Sequence, residues 1–197
     1  MRPATMTARF LQLLSVAVSA ACLGVLAQDL ALRRSGDQLR VSAPRLHFLT
    51  GKPLERMRNG ASVTYDMQMT VFAADRQAIL RRGFERFVVS YDLWEEKFSV
   101  SRVRTARASA SHLTAEAAEA WCLDHISIPA ADLATDRAVY VRLDVRALEE
   151  RDRRRFEEED GISLGRLIEL FSRAGTPAPG TSWRAESGPI QLQNVKP

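Results

Sequence analysis

Three histidines, His47, His112 and His125, are the whole imidazole complement of this chain, and none has a metal-ligand spacing such as HxxxH. His47 stands between Leu46 and Phe48 at a position that alternation assigns to solvent, so it reads as a surface histidine. Cys122, Asp124 and His125 are close neighbours in Trp121-Cys122-Leu123-Asp124-His125, and these are the residue types of a thiol nucleophile with its base and orienting acid. Catalytic triads are assembled in space from distant positions, so sequence neighbours are weak support for one. A buried structural thiol is the plainer reading of Cys122; an intermolecular bridge or a reactive thiol are the alternatives. No GxSxG, phosphate-loop, dinucleotide-binding glycine or HExxH pattern occurs. The acid pairs Glu95-Glu96 and Glu157-Glu158-Glu159 fall in turns or on charged faces. Paired carboxylates do acid–base work only where their surroundings separate their proton affinities. The residues therefore nominate no catalytic, cofactor-binding or metal-binding site, and the expected protein is not an enzyme.

Two features suit binding instead. Arg81, Arg82 and Arg86 precede a hairpin and Arg102, Arg104 and Arg107 follow it; converging, they would make a basic patch for anionic lipid headgroups or polyanions. Against that, 25 of the 28 basic residues are Arg, so arginine is simply the default cation of this chain. A net charge of +4 is too mild to argue for a nucleic-acid partner. The second feature is an apolar sheet face carrying Tyr65, Met67, Met69, Phe87, Tyr91 and Phe98. Curled around a space it would hold a lipid or another hydrophobic ligand; packed under helices it is core.

The elements that must position these residues begin after a distinct N-terminal segment. Arg2 and Arg9 precede the uncharged run Phe10 to Leu26, and small residues before Gln28 favour cleavage after Ala27. A basic start, an apolar middle and a small-residue boundary are the parts of a secretory signal peptide. The run of about 17 residues is near the lower limit for a membrane span, so an uncleaved anchor at residues 10–26 is the first rival. A lipidated Cys22 after Ser19-Ala20-Ala21 is the second, although Leu is missing at position 19 and apolar residues continue beyond Cys22. Each version exports the remainder to the periplasm or the exterior. Cleavage removes Arg2, Arg9 and Cys22, which lowers the net charge from +4 to +2 and leaves Cys122 alone. No internal disulfide is then available, and residues 28–197 must fold as a single domain on a hydrophobic core, for which about 170 residues suffice.

The composition, with 46% apolar and 26% charged residues, is that of a globular domain and excludes collagen-like and disordered classes. Strict alternation over Val63 to Val71 and over Val139 to Ala147 predicts two strands with one buried and one wet face each. Phe87 to Leu93 and Lys97 to Arg102, joined across Glu95-Glu96, predict a hairpin. Leu39 to Ala43, continuing as Leu46 to Phe48 beyond Pro44, predicts an opening edge strand, and Ile126 to Ile128 a short one. Thr114 can cap a helix over Ala115 to Leu123, and Ser163 one whose apolar face is Leu164, Leu167, Ile168 and Phe171. Leu148 to Asp160 is a solvated charged connection or a partner's docking site. Trp183, Ile190 and Leu192 can tie the loop-rich tail down as a last strand. The predicted fold is α+β: an antiparallel sheet of about five or six strands, meander- or sandwich-like, with two helices.

This order of elements, with LRVSAPRLHF at the opening, RFVVSYDLWEEKFSVSRV as the hairpin, TAEAAEAW, VYVRLDVR and a late Trp183, resembles a family of uncharacterised secreted bacterial proteins. They form a domain of unknown function, often encoded near nitrogen-type sensor kinases, and the likeness spans about Leu39 to Leu192. The insert Leu148 to Asp160 departs from it. The resemblance implies a periplasmic setting and a β-rich domain, and it supplies no site residues. The expected role is a non-enzymatic envelope protein that binds another protein; a carrier of lipid or another hydrophobic ligand is the alternative, and an unrecognised hydrolase the third.

Overall fold

A computed structural model describes residues 30–104, 107–131, 133, 136–148 and 181–195. The predicted signal segment, residues 149–160 of the charged connection and the helix predicted from Ser163 lie outside them. Among the described residues nine strands form two antiparallel sheets, together with two α-helices. β1 (Ala31–Ser35), β2 (Gln38–Ser42) and β7 (Ser127–Pro129) make a small sheet in the order β1-β2-β7. The large sheet contains β3 (Val63–Ala73), β4 (Ile79–Asp92), β5 (Lys97–Arg102), β6 (Ala108–Leu113), β8 (Ala138–Ala147) and β9 (Ser182–Gln191). Its order is β6-β5-β4-β3-β8-β9, so β3 to β6 form a meander and β8 joins on the free side of β3. Helices α1 (Gly51–Arg58) and α2 (Ala115–Asp124) complete the α+β architecture predicted from the sequence.

The alternating strands place Tyr65, Met67, Met69 and Val71 of β3 beside Val141, Leu143 and Val145 of β8, all buried. Phe87 and Val89 of β4 continue that face toward Phe98 and Val100 of β5. Phe48, Tyr65 and Trp183 pack edge to face, with ring centroids 5.3 and 6.3 Å from Phe48, which fixes β9 to the core. The expectation of a last strand around Trp183 is met. The apolar face singled out in the sequence is thus largely core, with the tilted rings of Tyr91 and Phe98 in contact at 4.8 Å near its margin.

The opposite face of β3 corrects a prediction. Asp66, Gln68 and Thr70 were expected to be wet, yet they are 0%, 8% and 2% exposed. The reason is cross-strand length: Arg86 and Arg146 flank Asp66, and Arg86 grips its carboxylate through two bonds of 2.6 and 2.8 Å. Burial lifts the Asp66 carboxyl above the ordinary range, and the hydrogen-bonded Arg86, with Arg146 and Arg104, opposes that lift. Gln68 and Thr70 satisfy each other at 3.1 Å.

The opening strand is also different from its prediction. Leu39 to Ser42 lies between β1 and β7 rather than at an edge, because Gly36-Asp37 turns an unpredicted β1 back onto it. Gly36 sits at φ +61, which a residue without a side chain adopts cheaply. Leu46 to Phe48 forms no strand, since the N–H groups of Phe48 and Leu49 bond a carboxylate instead of a ladder. Three further elements went unpredicted: β1, β6 and α1. The last is a single short helix with Pro53 in its first turn, where a missing N–H costs nothing.

The two sheets meet at Gly83 of β4. A Cβ there would lie 2.7 Å from the Ser127 carbonyl oxygen and 2.8 Å from Ile128 Cγ1, both in β7. Gly83→Ala will therefore destabilise the domain by about 1–3 kcal/mol through overpacking. That exceeds the roughly 0.4–1 kcal/mol an alanine gains by restricting the unfolded chain. Urea denaturation checks it; an unchanged or raised midpoint would mean that β7 does not press on β4 in solution.

Candidate functional site

α2 is the element on which most of the sequence's chemistry-bearing residues lie. Thr114 caps it as predicted, its hydroxyl accepting the Ala117 N–H at 3.2 Å. Its buried face contains Ala118, Cys122 and Leu123, and also Glu119, which is 4% exposed. Oε1 of Glu119 accepts the backbone N–H groups of Phe48 at 2.6 Å and Leu49 at 2.8 Å. Oε2 accepts from Nδ1 of His47 at 2.9 Å. One carboxylate thus satisfies two buried amides and orients an imidazole whose side chain is 54% exposed. His47 is a surface histidine, as predicted, but a fixed one.

The neighbouring residues separate. Cys122 is buried against Glu119, and burial, reinforced by that carboxylate, pushes its thiol far up, away from the reactive thiolate form. Asp124 forms an ion pair with Arg33, and its carbonyl accepts from Arg40 at 2.6 Å. His125 donates from Nδ1 to the Trp121 carbonyl at 2.7 Å and stacks on that indole at 3.7 Å. Cys122, Asp124 and His125 have three different sets of partners, so they form no triad. Glu119 was missed by sequence reasoning, although a signal existed. It falls among Ala115, Ala118 and Cys122 on the apolar side of a short helix, where a carboxylate must find partners.

Between α2 and β2 lies a cleft of about 260 Å³. Val41, Pro44, Leu46 and Leu123 form its apolar side, and His47, Glu116 and Glu119 its polar side. Glu116, exposed in the first turn, is held below the usual carboxylate range by backbone N–H bonding and by the Thr114 side chain. Among the described residues no group of three His, Cys, Asp or Glu is arranged to hold a metal ion.

The predicted basic patch is divided. Arg82, Arg86 and Arg104 share the outer face of the large sheet, where Arg104 lies 5.1 Å from the Phe84 ring centroid. Arg81 and Arg102 lie opposite Val71 and Phe87, on the core-facing side. Arg86 is also committed to Asp66.

No family model, curated protein or solved structure matches this chain. Its surface must therefore speak through its own chemistry. The most exposed large apolar side chain among the described residues is Trp94, at 96%, beside Leu93 at 55%. Both sit in the four-residue loop joining β4 to β5. Asp92 folds that loop by accepting the N–H groups of Trp94 at 2.8 Å and Glu95 at 3.1 Å, which holds its carboxyl below the ordinary range. Glu96 takes φ +54, and Glu95 reaches across to His112 at 2.5 Å. The pair Glu95-Glu96 lies in a turn, as predicted. The tip is a fixed platform that holds a bare indole in water.

Proposed function

We propose that this chain is an exported envelope domain that binds another protein through the β4–β5 hairpin tip and performs no reaction itself. The observation that carries this reading is Trp94. Leaving an indole 96% exposed forgoes about 1.5–3 kcal/mol of burial, and a partner's pocket recovers it. The turn is already held by Asp92 and by the Glu95–His112 pair, so docking orders little additional chain. Asp92, Glu95 and Glu96 flank Trp94 in sequence against the single Lys97, so the tip carries an acidic excess. That favours an apolar protein pocket with a basic rim over an anionic lipid surface, which would be repelled. The packing of Tyr65, Met67, Met69 and Phe87 in the core supports this reading over that of a carrier. Export rests on the N-terminal segment; among the described residues no helix is long and apolar enough to cross a membrane.

A photo-crosslinking residue placed at Leu93 in the source cells tests the proposal. One discrete protein adduct is expected from position 93, with none from an equivalent probe at Ser35 and none once Trp94→Ala is added. Adducts with lipid alone, or equal adducts from both positions, would reject it.

A further inference from the structure

The cleft beside α2 plays no part in the hairpin reading, and its lining has a definite chemical bias. Val41, Pro44, Leu46 and Leu123 offer an apolar wall to a short hydrocarbon stem. Three carboxylates, Glu116, Glu119 and Asp124, line it against one guanidinium, Arg33, which Asp124 already neutralises. Glu119 is filled by Phe48, Leu49 and His47, whereas the exposed Glu116 accepts from its own backbone N–H and the Thr114 side chain, feels His47 nearby, and keeps lone pairs for a ligand. His47 adds a second acceptor. Its Nδ1 is held by Glu119, which leaves Nε2 as the lone-pair nitrogen of the neutral ring. Acceptors at one end and hydrocarbon along the wall complement a donor-rich cation on an apolar stem, and they disfavour an anion. The volume, about 260 Å³, is on the order of eight water volumes and suits one small group.

We infer that this cleft binds a primary ammonium group on a short alkyl stem, with Glu116 and His47 accepting from the ammonium. The same chemistry is presented by a free amine and by a lysine side chain, and the test separates them. Backbone amide spectra of the purified full chain are titrated at about pH 8 with n-butylammonium, with Nα-acetyl-lysine amide, and with n-butyrate. Saturable shifts confined to His47, Glu116, Ala120 and Leu123 are expected with butylammonium and absent with butyrate. Stronger binding of the lysine amide assigns the site to a protein side chain; weaker binding assigns it to a free amine. Glu116→Gln is expected to weaken butylammonium about fivefold, the upper scale of one exposed ion pair. Ala120→Phe, an exposed helical position on the cleft wall, should abolish it while leaving the thermal midpoint within a few degrees. Equal response to butyrate, unchanged affinity in Glu116→Gln, or saturable binding in a folded Ala120→Phe would each overturn the assignment.

Discussion

Arg86→Met will lower the stability of this domain by about 3–5 kcal/mol at neutral pH, because it leaves the Asp66 carboxylate buried without its guanidinium. Domains of this size are stable by only about 5–15 kcal/mol, so the loss is a large fraction of the whole. The pH dependence has a definite sign. Burial already lifts Asp66, and removing Arg86 takes away the strongest opposing influence, so the folded proton affinity rises further above the unfolded one. A carboxyl raised in this way destabilises the fold above its folded pKa. The penalty fades as the pH falls through that value and the group protonates. The variant's deficit should therefore be larger at pH 7 than near pH 5, in urea titrations at both. Asp66→Asn added to Arg86→Met should recover most of the loss, since two neutral side chains then share the site. A deficit that is independent of pH and not recovered would show that Arg86 acts through packing alone.

Glu119→Ala is expected to cost about 4 kcal/mol, comparable to the first. It removes charge-assisted hydrogen bonds, each worth about 1.5–3 kcal/mol, from the Phe48 and Leu49 amides. The segment linking β2 to α1 then has no fixed partner for those donors. Glu119→Gln keeps a carbonyl oxygen for both amides and should cost only about 1–2 kcal/mol, while presenting an amide in place of the acceptor for His47 Nδ1. Denaturant midpoints separate the two variants, and the ¹⁵N shifts of the His47 ring report the change of tautomer in Glu119→Gln. If alanine costs no more than glutamine, the two amides are satisfied by water, and the carboxylate is not the clamp of this loop.

How much of this was legible follows from where each signal resides. β3 and β8 alternate because one face is core, and period-two apolar residues such as Met67, Met69, Leu143 and Val145 record that in the chain itself. The hairpin and α2 were equally readable, the first from alternation and the second from Thr114 and its alanines. β1 and β6 were not. Ala31–Ser35 contains two adjacent arginines, and Ala108–Leu113 consists largely of small residues, so both take their conformation from the strand they pair with. Asp66 was misread for the same reason: polarity announces an exposed side chain, and only the register with Arg86 reveals a buried one. Glu119 shows the limit most clearly. Its position on the helix marks it as buried, but its partners lie 70 and 71 residues earlier, and no local pattern points to them. Trp94 was visible as a residue of the hairpin, whereas its isolation in solvent is a property of the finished surface.

The pairing of β2 with β7 has a consequence for how the chain comes together. Gln38 finds Pro129, and Arg40 finds Ser127, only after β3 to β6 and α2 have been made. During synthesis the first hairpin therefore emerges with one edge open, and it stays so until some ninety residues more have left the ribosome. Glu119 arrives just as late to the amides of Phe48 and Leu49. Contacts of such long sequence separation slow folding and prolong the exposure of unpaired edges. The small sheet is therefore a late clasp: its first two strands lie early in the chain, yet they cannot be closed into the domain until the polypeptide has passed Pro129.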